Sequence, residues 1–199
     1  MGLIFEHRVL LFIAIVVALS QCFATAANLR LYQVIEVALP NKDVRTAYLG
    51  SLWAMINGFA FLMQFVVTPL LLRRLPLVAI LTGIPLLNAC AVGFMLGNPT
   101  LGAAAAAFVL FKGMDYSVFR ASKELLYIPL SFDARYRAKQ VVDAFTYRFS
   151  KGAAAGLISA AKGLAGSLPG WTYPAVCLAA AAAWAAAAVP LARSAGRSK

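Results

Sequence analysis

The sequence predicts an all-α membrane protein with six transmembrane helices. Three observations carry that prediction. Hydrophobic residues make up 62% of the chain and charged residues only 13%, against about 45–50% and about 25% in a soluble domain. Apolar runs of the roughly 20 residues that a bilayer-spanning helix needs recur along the chain. The charges mostly sit at the ends of those runs, with one exception: 12 of the 25 charged residues fall between Lys112 and Lys151.

The first span runs from Val9 to about Ala27, with its helix continuing to Leu39, and Pro40 to Asp43 form a turn. The second runs from Ala47 to Leu72 and is closed by Arg73 and Arg74. The third covers Leu77 to Leu96, and Gly97, Asn98 and Pro99 make a tight turn. The fourth runs from Leu101 to about Phe119. Residues 121–130 then read as a short amphipathic piece ended by Pro129. The fifth starts near Arg135 and reaches about Leu164, ahead of a turn at Gly166 to Gly170. The sixth, Trp171 to Leu191, is mostly alanine. The length suits one six-span domain over residues 1–199.

Sorting the cations tests this count. With the N-terminus on one side, that side holds Arg8, Arg73, Arg74, Arg120, Lys123, Arg135, Arg137, Lys139, Arg193, Arg197 and Lys199. The other side holds only Arg30, Lys42 and Arg45. The positive-inside rule makes the first side cytoplasmic, with both termini on it. An alternative is a cleaved signal peptide ending near Ala26, which would leave five spans.

The net charge of +11 does not indicate nucleic acid, because these cations end apolar runs and form no solvated basic face. No P-loop, dinucleotide-binding glycine pattern, nucleophile elbow or Cys-x-x-Cys occurs, so neither an enzyme nor a cofactor or metal site is expected. His7 beside Arg8 reads as a headgroup residue. Cys22, Cys90 and Cys177 lie in apolar segments and read as packing residues.

The charged stretch points to a site. Asp143, Arg148, Lys151 and Lys162 fall within the fifth span or its first turns, where an ionised group costs about 2.5–3.5 kcal/mol at the bilayer centre. At about 100° per residue, Tyr136, Gln140, Asp143, Tyr147 and Lys151 share one face. Phe145, Phe149, Gly152, Gly156 and Ala160 occupy the opposite one, a small-residue face suited to helix packing. Lys112, Asp115, Tyr116 and Ser117 end the fourth span, and Lys123 and Glu124 follow. Glu36 is either a further buried charge or a wet residue beyond the first span. Asn57, Gln64 and Asn88 are expected to bond neighbouring helices.

These residues carry a resemblance. "KGMDYSVFRASKELLYIPL" (112–130) and "RAKQVVDAFTYRFSKGAAA" (137–155) resemble blocks of the ATP/ADP translocase family, nucleotide transporters of intracellular bacteria and plastids. Lys112, Tyr116, Ser117, Phe119, Lys123, Glu124, Tyr127, Ile128, Pro129 and Leu130 match the first block. Lys139, Val142 and Asp143 match the second, and Lys151 a third. The segment around Glu36 also looks like the family's. The resemblance covers roughly Leu31 to Gly156.

It implies a fold like the C-terminal half of a major facilitator superfamily transporter. It also implies nucleotide exchange by alternating access, a bacterial inner-membrane location, and roles for Glu36 and Lys151 in handling nucleotide. Two departures stand out. "SKGAA" replaces the family's Gly-Lys-Ser-Gly-Gly, which puts the cargo in doubt. Six spans stand where the family has twelve, so this half is expected either to be a fragment of a longer protein or to pair with another chain or itself.

The leading reading is therefore a half-transporter binding a phosphorylated anion, with Glu36, Lys112, Asp115, Lys123, Asp143, Tyr147, Arg148 and Lys151 as substrate-binding candidates. The alternative is a membrane module that transports nothing and has a structural or sensory role.

Overall fold

The computed structural model describes the backbone of residues 2–128, 130 and 132–196. The side chains of residues 2–8, 133–134, 137–138, 143–145 and 192–196 are outside that description, as is Pro129. The expectations placed on His7, Pro129, Asp143 and Phe145 thus lie outside the described residues.

Six helical rods make up the bundle, with no strand among the described residues. They are α1 (Gly2–Ala38), α2 (Lys42–Arg74), α3 (Leu77–Gly97), α4 (Leu101–Tyr127), α5 (132–165) and α6 (Thr172–Gly196). Local chemistry sets the ends. The Asn41 side chain accepts from the backbone N–H groups of Asp43 and Val44 at 2.8 and 3.3 Å, an N-cap for α2. Thr100 caps α4 in the same way, accepting from Ala103 N–H at 3.2 Å. Gly166 ends α5 at φ 74°, a left-handed position that glycine takes without a Cβ penalty.

Five of these helices are long and apolar enough to cross a membrane among the described residues. The exception is α5, which has the length but carries the charges of the fifth span. Exposed Phe61, Leu62, Phe65, Val66 and Leu70 on α2, and Leu86, Leu87 and Phe94 on α3, give the bundle the apolar outside that lipid requires.

Helix α1 is the axis. It packs along α6, α5 and α4, while α6 also covers α3, and α2 lies on α4. Ring contacts fix the layers: Phe23 on Phe111 at 4.8 Å, Phe119 on Trp184 at 5.0 Å, and Trp53 on Phe108 at 6.2 Å.

Three expectations change. First, the short amphipathic piece is no separate element: α4 runs unbroken through it to Tyr127. Second, α2, α4 and α5 each contain a stretch of π turns, at Met63–Val67, Asp115–Phe119 and Gln140–Thr146. A π turn spends one extra residue on each hydrogen-bonded ring, so a face drawn at a constant 100° slips across it. Among the described residues of α5, Val142 is buried while Tyr136 and Gln140 are exposed. Of the predicted polar stripe, Tyr147 is half-buried and Lys151 exposed, while Asp143 lies outside the described residues.

Third, the glycines of α5's small-residue face meet no neighbouring helix among the described residues. Tyr147, Ala154 and Ile158 face inwards. Gly152, Gly156 and Gly163 have open space where a side chain would stand. Asn88 is buried on α3, yet neither of its amide atoms has a hydrogen-bond partner, so the expected bond to a neighbouring helix is not made.

Candidate functional site

The first part of the site is one turn of α4. The π stretch from Asp115 to Phe119 begins three residues after Lys112, which places Lys112, Asp115 and Tyr116 on adjoining turns. Lys112 is 8% exposed. Its ammonium lies 5.1 Å from the Tyr116 ring, 5.4 Å from Phe111 and 5.9 Å from Phe108. Ring faces attract a cation most where water is excluded, so this cage tolerates a charge that hydrocarbon would reject. The Asp115 carboxylate lies in the field of both Lys112 and Lys123.

A cleft of about 300 Å³ opens beside this turn, between α1, α4 and α5. Asp115, Tyr116, Arg120, Lys123 and Glu124 line it from α4, and Gln21 and Tyr147 from the facing helices. The Tyr147 hydroxyl is within electrostatic reach of Asp115 and Tyr116. Gln21 is buried, with its amide 3.4 Å from the Ser20 hydroxyl. The lining thus combines two acids, two bases and two phenols.

At its rim the cleft is tied off. The Lys139 ammonium on α5 meets the Glu124 carboxylate at 2.5 Å and lies 5.8 Å from the Tyr127 ring. The Arg135 guanidinium donates to the carbonyls of Tyr127 at 3.0 Å, Ile128 at 2.6 Å and Leu130 at 3.4 Å. The Tyr127 carbonyl also accepts from the Leu130 N–H at 3.2 Å, and a cation at this end of α4 meets the negative end of the helix dipole.

Of the eight residues predicted for the site, Asp115, Lys123 and Tyr147 line the cleft, with Lys112 on the turn beside Asp115. Arg148 and Lys151 are exposed on α5 and do not line it. Lys162 is also exposed, 5.8 Å from the Tyr173 ring. Glu36 is at the other end of the bundle, 71% exposed and 3.6 Å from Arg45. It is exposed within this chain and pairs the end of α1 with the start of α2. Asp143 lies outside the described residues. Gln21 and Arg120 carry no site role in the sequence reading. A glutamine inside an apolar span was the available signal for the first.

A second cavity of about 270 Å³, lined by Arg30, Gln33 and apolar residues, sits at the Glu36 end. Arg30 there donates to Gln33 at 2.8 Å.

A charged cleft inside an apolar bundle fits a solute path better than a reaction centre. Comparison with protein families agrees: residues 3–194 match the model of the TLC ATP/ADP transporter family. The chain belongs to that family. Comparison with curated proteins and with solved structures finds no significant match. TLC membership makes nucleotides the cargo class and a multi-pass membrane protein the setting. The match extends beyond the block resemblance at both ends, taking in the first half of α1 and nearly all of α6.

Proposed function

We propose that this chain forms one six-helix wall of a nucleotide exchanger working by alternating access, and that the α1–α4–α5 cleft receives the cargo. The observation that carries this is the cleft itself: Asp115, Arg120, Lys123, Glu124 and two tyrosines within an otherwise apolar bundle of a TLC family member. Transport needs no covalent chemistry. It needs a site that binds cargo differently in two states.

Charge arithmetic supports a two-walled site. The cleft lining is neutral as it stands, with Lys112 supplying one more cation close by. A nucleoside di- or triphosphate brings roughly three to four negative charges, and an intramembrane site must answer them with cations. Arg148 and Lys151 on the outward face of α5 are the nearest supply in sequence. They serve the cargo if a second six-helix half covers that face. The open glycine face of α5 beside them permits close helix approach. In this reading the fold is major-facilitator-like, the termini are cytoplasmic, and Glu36 with Arg45 stands at the opposite mouth.

The test is exchange of labelled ADP for ATP by the full-length gene product in liposomes. Lys123→Ala and Lys151→Ala are expected to abolish exchange while leaving membrane insertion intact. Wild-type rates in both variants would reject the cleft and its α5 extension as the cargo site.

A further inference from the structure

The cleft rim holds a feature that the exchange reading does not use. Glu124 belongs to two environments at once. It lines the cleft beside Arg120 and Lys123, and its carboxylate is held by Lys139 from the next helix. Both partners of that pair remain partly exposed, Lys139 at 42% and Glu124 at 46%. Neither is locked in by packing, so another anion can reach the ammonium. Arg135, by contrast, is committed to three backbone carbonyls. It fixes the start of α5 to the end of α4 whether or not the ion pair is made.

We infer that Glu124 is an internal counter-ion that occupies the cargo's place at the cleft rim, and that an entering phosphate displaces it from Lys139. This rests on the cleft being the nucleotide site. A carboxylate and a phosphate oxyanion make the same charge-assisted bond to an ammonium, so they compete for it. While the cleft is empty, Glu124 keeps the rim cations from repelling one another. When cargo binds, the α4–α5 pair opens, and the Arg135 staple remains as a pivot. Cargo occupancy is then coupled to the spacing of two helices through a single exchanged ion pair, which is a definite free-energy link between site and conformation.

The test uses the full chain in lipid nanodiscs, with ADP as the probe and inorganic pyrophosphate as a base-free control. Glu124→Gln removes the competitor and keeps the shape, so both anions are expected to bind more tightly, by about fivefold or more. Lys139→Met is expected to weaken binding. In the Lys139→Met background, Glu124→Gln is expected to lose most of its gain, because the two residues act through one contact. A purely structural ion pair would give weaker or unchanged binding in Glu124→Gln, and that result overturns the inference. An equal gain with and without Lys139 also overturns it. A wild-type chain that binds neither anion removes the cargo site as well, which separates failure of the site from failure of the displacement.

Discussion

Gly113 on α4 and Phe59 on α2 touch so closely that no side chain fits between them: a Cβ on Gly113 would collide with the Phe59 ring. This contact seats α2 against α4 one residue from the caged Lys112. Gly113→Ala is therefore expected to cost about 1–3 kcal/mol, the usual penalty for overpacking. Phe59→Leu should recover part of it, since the two positions are in contact and couple. Thermal unfolding in detergent measures both. An alanine variant as stable as the parent would mean that α2 shifts freely.

Arg135 is expected to tie α4 to α5 more strongly than the Glu124–Lys139 pair does. The Glu124–Lys139 pair is half exposed, and such pairs contribute about 0–1 kcal/mol. The guanidinium instead satisfies carbonyls at a helix end. Arg135→Ala is expected to lower the unfolding midpoint more than Glu124→Gln does, by about 1 kcal/mol or more. The reverse order in the same unfolding series would refute this ranking.

Lys112 should separate stability from function. Its ammonium sits among three rings, and burying a cation is costly however well it is caged. Lys112→Met keeps the stem and drops the charge. The variant is expected to be at least as stable as the wild type while losing ten times or more in ADP affinity, a loss of about 1.4 kcal/mol in binding. Nanodisc binding and unfolding measured side by side decide it. Unchanged affinity would make Lys112 a packing residue.

Cysteine accessibility tests the face assignment in α5. Tyr147 lines the cleft, whereas Leu157 is 73% exposed on an apolar part of the helix. A cysteine at Tyr147 should react with a hydrophilic thiol reagent and be protected by ADP. One at Leu157 should stay unreactive in membranes, because lipid or a second half excludes water there. Equal labelling without protection would show that the cleft is not the water-filled path.

The apolar spans, their turns and the family are legible in the chain because each depends on local sequence: about 20 apolar residues make a span, and Asn41, Thr100 and Gly166 mark ends by their own backbone chemistry. The concentration of charge between Lys112 and Lys151 also locates the site region. Its membership does not follow from the same signals. Tyr147 and Asp115 line one cleft because α4 and α5 both pack on α1, which brings Gln21 to them from far earlier in the chain. The π turns at Asp115–Phe119 and Gln140–Thr146 rotate the faces that a constant helical period assigns, and Val142 is buried.

Composition and spacing thus determined that this is an all-helical membrane protein with an ionised patch near its fourth and fifth helices, and the blocks at 112–130 and 137–155 carried the resemblance to its family. Tertiary structure alone decided that Lys123, Glu124 and Tyr147 share a cleft while Glu36 pairs with Arg45 at the far end. The physical reason is that helix periodicity fixes direction only within one uninterrupted rod, whereas a site is made where separate rods are pressed together.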